Sequence, residues 1–264
     1  MADQLKYTNK IKGDRVLVVG GSAGIGYAAA EACLENGCHV TISSSNPDRI
    51  QRAITKLQTT YPSFQTNIQG HACDLSDPAN LETNLLLLLD RTSQAGKIDH
   101  IIHTAGDSLA VLKLEELSMD TVYAAGQIRF FAPLFLAKHA PKFLAPGPKA
   151  SITLTTGAVS ERPIPNWTVV NSYATGLQGM TRGLALDLAP IRVNLVSPGA
   201  VDTELWSHMS AGQKAEFFKE MEKKIPVGKV GQVEDVAEAY LYCMRDRNVS
   251  GAMISTSGGH LLTG

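Results

Sequence analysis

The stretch Val19-Gly20-Gly21-Ser22-Ala23-Gly24-Ile25-Gly26 decides the fold. It follows a short β-branched run, 15–19, and opens an alanine-rich segment, 24–36, that reads as a helix closed by Gly37. In a strand–turn–helix setting the glycines have separate tasks. Gly20 permits the tight turn, Gly24 lets the backbone approach a pyrophosphate, and Gly26 lets the helix pack closely on the strand. The helix N-terminus then faces the phosphates. With this context the turn points to a bound dinucleotide, with Gly20, Ser22, Ala23, Gly24 and Ile25 as its phosphate-side residues.

Working outward, strand-like and helix-like patterns alternate along nearly the whole chain. Strands are predicted at 15–19, 39–43, 67–73, 98–103, 151–155, 192–196 and 252–256. Helices are predicted at 24–36, 47–61, 77–95, 120–140, 172–188 and 233–245. Seven strands separated by helices imply right-handed crossovers and a doubly wound parallel α/β sheet with helices on both faces. No linker, repeat or low-complexity block interrupts residues 1–264, which predicts one domain, with 201–230 as an excursion over the ligand crevice. Hydrophobic residues make up 44% and charged residues 19%, ordinary globular values that exclude a disordered chain. A net charge of −1 gives no bulk attraction to nucleic acid or to an anionic membrane surface. The longest apolar run, 85–89, is far short of the ~20 residues that span a bilayer. The N-terminus has no apolar stretch resembling a secretory signal, and Cys33, Cys38, Cys73 and Cys243 lack CxxC pairing. A cytoplasmic protein with reduced thiols is expected. His100 and His103 form an HxxH whose members point to opposite faces of a strand, and His71 with Cys73 lacks further ligands nearby, so no metal site is expected.

The end of the second strand selects the dinucleotide. NAD specificity places a carboxylate there for the ribose diol. Here the run is Ile42-Ser43-Ser44-Ser45-Asn46, without a carboxylate before Asp48. Ser44, Ser45 and Asn46 would meet a 2′-phosphate with hydroxyls and an amide, which favours NADP(H).

From about residue 13 to 260 the chain resembles the short-chain dehydrogenase/reductase family. The resemblance rests on the glycine turn, Cys73-Asp74-Leu75, Thr104-Ala105-Gly106, Thr181-Arg182-Gly183-Leu184-Ala185-Leu186-Asp187-Leu188-Ala189-Pro190, Ile191-Arg192-Val193-Asn194 and Ser197-Pro198-Gly199-Ala200-Val201-Asp202-Thr203. It implies a Rossmann fold, with Asp74 and Leu75 by the adenine and Ala105 and Gly106 along the ribose. Pro198, Gly199, Val201 and Thr203 would hold the nicotinamide amide and phosphates. It also implies a homodimer or homotetramer, built on the helices 120–140 and 172–188 and the last strand, that acts on a small-molecule substrate.

Carbonyl-reducing members of the family carry Tyr-x-x-x-Lys, an earlier Ser and an Asn. Counted back from the gap-free stretch 179–186, these positions fall on Val170, Ala174, Gly157 and Arg129. All four have changed. A positioned acid is worth about 10²–10⁴-fold, roughly 3–5 kcal/mol, when hydride addition leaves an alkoxide. An iminium gives a neutral amine and needs no proton donor. An enone leaves a delocalised enolate that a fixed cation stabilises, and a cyclisation needs shape and charge more than an acid.

Arg129 supplies a permanent charge and a planar fork for a carboxylate, an enolate or a carbonyl; it could also hold the cofactor or pair with Glu161. Tyr173, three residues past Val170, is a candidate acid or a packing residue. Trp167 offers a flat face on the substrate rim 155–167, and Trp206 and His208 in the excursion are candidates to cover a ligand. An Arg at the Asn position, a lost Tyr-Lys pair and a Trp before the Tyr position are similar to the fungal reductase/Diels–Alderase subgroup of bridged indole alkaloid biosynthesis. There an aspartate two or three residues before the Trp shares the work; here the stretch is Ile164-Pro165-Asn166. Three readings follow: an NADP(H)-dependent reductase of a preactivated substrate in specialised metabolism, a non-redox cyclase or isomerase on the same scaffold, and a non-catalytic dinucleotide sensor.

Overall fold

The computed structural model describes residues 6–207 and 209–263. The strands are β1 (Arg15–Val19), β2 (His39–Ser44), β3 (Ile68–Ala72), β4 (His100–His103), β5 (Ser151–Thr155), β6 (Arg192–Pro198) and β7 (Met253–Thr256). The helices are α1 (Gly24–Glu35), α2 (Pro47–Thr60), α3 (Leu81–Ser93), α4 (Met119–Gly126), α5 (Ala132–His139), α6 (Thr168–Asp187), α7 (Ala211–Glu222) and α8 (Val233–Arg245). All strand pairs are parallel in one sheet of order β3-β2-β1-β4-β5-β6-β7. The doubly wound fold expected from the alternation is the one observed. Its order reverses between β1 and β4, so the crevice lies beyond the carboxyl ends of those two strands.

Alternation along β1 divides the core. Val16 and Val18 face α1, α2 and α8, where Ala29, Ala30, Tyr240 and Met244 are buried. Leu17 and Val19 face α3, α5 and α6, where Leu85, Leu89, Leu136 and Leu177 are buried. The small Ala28, Ala29 and Ala30 let α1 lie close to its neighbours. Gly37 (φ +76°) ends α1 as expected, with Gly37 N donating to Leu34 O at 2.9 Å and Cys38 N to Cys33 O at 3.1 Å. This is a Schellman closure, and the side chains it stacks are the fully buried Cys33 and Cys38.

Two expectations are corrected. The single helix 120–140 is α4 and α5 joined by a π turn, Gln127–Phe131. Ala132 N bonds Gln127 O, five residues back, and Pro133 has no N–H to return to Arg129. The helix 172–188 begins earlier, at Thr168, so Trp167 is its N-cap. The excursion 201–230, expected as loop and helix, carries the helix α7, begun by a capping box between Ser210 and Gln213.

Candidate active site

The glycine turn and the start of β4's exit are pressed together. A Cβ on Gly20 (φ +92°) would lie 2.5 Å from Ala105 N, and one on Gly26 would collide with Gly20 O and Thr104 Oγ1. Thr104 N closes the contact by donating to Val19 O at 2.8 Å. Glycine is therefore required by the packing itself, and the result is bare backbone at the first turn of α1. That geometry fits a dinucleotide pyrophosphate.

The other expected cofactor residues arrive around this turn. Ser44 is half-buried, while Ser45 and Asn46 are exposed at the end of β2. Asn46 Oδ1 accepts from Arg49 N at 3.1 Å and so caps α2, which leaves the serine hydroxyls as the freer donors. Asp74 accepts from Ser76 N at 2.9 Å and Ser76 Oγ at 2.7 Å, and these bonds hold its carboxyl below the usual range. Leu75 is buried, and its carbonyl takes Gln127 Nε2 at 3.0 Å. Beyond Pro198 at the end of β6, Gly199 N donates to Thr256 O at 3.1 Å, and the buried Val201 bridges to Gly231. The chain then bends back, so that Thr203 Cγ2 lies 3.4 Å from where a Cβ on Gly24 would stand.

Arg129 sits on the π turn, whose wider spacing carries it to the mouth of the crevice. Its Nε donates to Asp107 Oδ1 at 3.1 Å, and Nη2 donates to the Asp107 carbonyl. The guanidinium lies across Gly106, where a Cβ would stand 2.6 Å from Cζ. Burial pushes the guanidinium pKa down and Asp107 opposes this, so the pair is a fixed cation with a carboxylate of its own. Asp107 has no place in the sequence reading. Its signal was weak, a lone carboxylate directly after Thr104-Ala105-Gly106 and 22 residues from Arg129. Glu161 is exposed and is not the partner of Arg129.

Tyr173 points elsewhere. Its hydroxyl donates to Val122 O at 3.0 Å, and its ring packs on Phe130 (5.1 Å between centroids) and Phe131 (5.8 Å). Burial, with Tyr123 nearby, holds the phenol above its ordinary pKa. Val170 and Ala174 are half-buried on α6, and Thr156 Oγ1 donates to Ala174 O at 2.8 Å. Gly157 has open space: a Cβ there would find nothing nearer than Pro198 O at 3.8 Å. Trp167 is half-buried beside Asn166, whose φ of +64° turns the chain into α6. Trp206 is held by its own segment, with Nε1 on Val201 O at 2.9 Å and its ring against Phe217 (4.9 Å) and Phe218 (6.1 Å). His208 lies outside the described residues. Among the described residues no cluster of metal-ligating side chains occurs, and no helix is long and apolar enough to cross a membrane.

A parallel sheet of this order, with a glycine turn at its switch point, places the chain among the doubly wound α/β proteins of Rossmann type. It belongs to the short-chain dehydrogenase/reductase (SDR) family, whose model of an SDR-like Rossmann domain matches residues 7–263. The chain is 43% identical to the short-chain dehydrogenase/reductase fsr5 of Gibberella fujikuroi over the full length of both. It is similar to the solved structure of the MalC reductase/Diels-Alderase of Malbranchea aurantiaca, with 38% identity and a TM-score of 0.92. That match covers 97% of this chain and 100% of the other. A small-chain dehydrogenase solved in complex with NADPH shares 27% identity at a TM-score of 0.76, covering 95% and 100% of the two chains.

Proposed function

We propose that the chain is an NADP(H)-dependent reductase of specialised metabolism that acts on a preactivated small molecule, an iminium or an enone. The observation that carries this reading is the Arg129–Asp107 pair. It stands at the position where carbonyl-reducing members of the family carry an uncharged Asn, in a site with Val170, Ala174 and Gly157 in place of Tyr, Lys and Ser. When bound, a reduced nicotinamide supplies the hydride. The glycine turn would hold its pyrophosphate, Ser44 and Ser45 its 2′-phosphate, and Asp74, Ala105, Gly106, Val201 and Thr203 the remainder. Arg129 and Asp107 then offer both signs of charge to the substrate. The guanidinium steadies a developing enolate, and the carboxylate relieves the like-charge conflict between an arginine and an iminium. Trp167 provides an apolar wall, and Tyr173 supports the π turn instead of acting as an acid.

A second reading, a cyclase on the same scaffold, is favoured by the likeness to the MalC reductase/Diels-Alderase. A homo-oligomer is part of the proposal. Leu134 and Leu186 are exposed on α5 and α6, and Phe135, Leu184 and Leu188 line an apolar groove between those helices. The four free thiols fit a cytoplasmic location.

The test is NADPH consumption with iminium and enone substrates, with products resolved by mass. Stoichiometric oxidation supports the reductase. A product of unchanged oxidation level supports the cyclase, and no product with either supports the sensor. For a reductase, Arg129→Ala lowers turnover about 10²-fold, and Tyr173→Phe leaves it within about threefold because no proton passes through that hydroxyl.

A further inference from the structure

The first turn of α1 has no acidic side chain, and Ala23 at its N-cap gives no side-chain hydrogen bond. Its amides and dipole therefore lack a local anion. One arrives from a distant segment. The turn after Thr203, a 3₁₀ helix from Glu204–Trp206, lays the Glu204 carboxylate over Gly24, with Oε2 3.3 Å from where a Cβ would stand. Glu204 is exposed, and among the described residues it forms no ion pair. The neighbouring Trp206 anchors the turn through Val201 O and the Phe217 and Phe218 rings, so the carboxylate is held near the cradle by its own backbone.

We propose that Glu204 is a displaceable internal anion of the phosphate cradle. It rests at the start of α1, and an incoming dinucleotide pyrophosphate must expel it. The inference rests on the dinucleotide reading above and adds to it a carboxylate that sets affinity without touching the reaction. Two anions cannot share one helix N-terminus at close range, so removing the internal one favours the external one. The same removal takes a favourable charge from the free protein.

The experiment is calorimetric titration of NADPH into the full-length wild type, Glu204→Gln and Glu204→Ala at low and high salt, with thermal melts of each protein alone. Both variants are expected to bind NADPH about three- to tenfold more tightly at low salt. The gap should narrow at high salt, because the charge is exposed to screening. Without NADPH, both should melt about 1–2 °C below wild type. Variants that bind no tighter than wild type, or that melt no lower when unliganded, overturn the proposal while leaving the cofactor reading intact. If neither wild type nor variants bind NADPH, both fall together.

Discussion

At the amino ends of β1, β4, β5 and β6 the buried polar groups answer one another. His100 lies between Ser151 Oγ (2.8 Å) and Asp14 Oδ2 (3.2 Å), and Lys149 joins Asp14 (2.6 Å) to Asp99 (2.9 Å). Arg192 donates to the carbonyls of Pro148, Lys149, Cys243, Met244, Asp246 and Val249. At or near the carboxyl ends of β2, β3, β4 and β6 the pattern is the reverse. Ser43 Oγ, His71 Nε2, His103 Nε2 and Ser197 Oγ are buried without a hydrogen-bond partner. The register sets His71, Ser43, Val19 and His103 in one row across four strands. Side-chain pairing is dense at one end of the sheet, while the other keeps several unpaired polar groups beneath the crevice. Unsatisfied buried groups are uncommon in native folds, and three of them, on Ser43, His71 and His103, share this row beneath the crevice.

The largest effect expected of this contrast is at Arg192. Arg192→Met takes a buried guanidinium from six carbonyls, two of them in buried bonds and four in part-buried ones, and a loss of about 3–5 kcal/mol is expected. In a thermal melt this is a fall on the order of 10 °C; a fall under about 2 °C would erase the distinction between the ends. Next is His103. Burial, with Arg129 nearby, pushes its pKa down to about 4 from an ordinary 6.5. A depressed folded-state pKa means that the unfolded chain takes the proton first. Stability is therefore full above pH about 6.5 and is lost as the pH falls through about 4. His103→Phe should leave the melting temperature at pH 7 within about 2 °C of wild type, since no partner is lost at Nε2. It should also flatten the acid limb, with His100, likewise held below its ordinary value by burial, keeping a residual slope. An acid limb as steep as wild type's would remove His103 from the account. The smallest effect on stability is expected of Gly106→Ala. The atoms nearest its Cβ are the guanidinium end of the Arg129 side chain, so melting shifts by about 1 °C while turnover falls with the displaced Arg129–Asp107 pair. A large loss of stability there would mean that the carboxyl end carries the fold as well.

Much of the scaffold was legible because it is local. The glycine turn, the closure at Gly37 and the alternation of Val16, Leu17, Val18 and Val19 are written within a few residues of where they act. The site was legible only by halves. Arg129 was legible by counting back from the stretch 179–186 to the position where carbonyl-reducing family members carry an Asn. Asp107 and Glu204 were not, because each gains its meaning from a segment far along the chain that only the folded crevice brings near. The break in the helix 120–140 had a local sign, Pro133, whose missing N–H falls one turn after Arg129. Of the two roles open to Tyr173, acid or packing, the fold supplies a berth for packing, because Gly126 leaves room for the ring on α4.

The π turn also acts as a phase shifter. An α-helix advances about 100° per residue, so one extra residue in the turn rotates everything before it relative to everything after it. Deleting a single residue between 127 and 131 would let α4 and α5 fuse into one unbroken rod with α5 still seated on the core. The guanidinium would then swing by about a quarter of a turn away from Asp107. The bulge thus uncouples the aim of one side chain from the packing of the helix that bears it. Substitutions on α5 can drift without disturbing the charged pair, whereas insertions and deletions in 127–131 cannot.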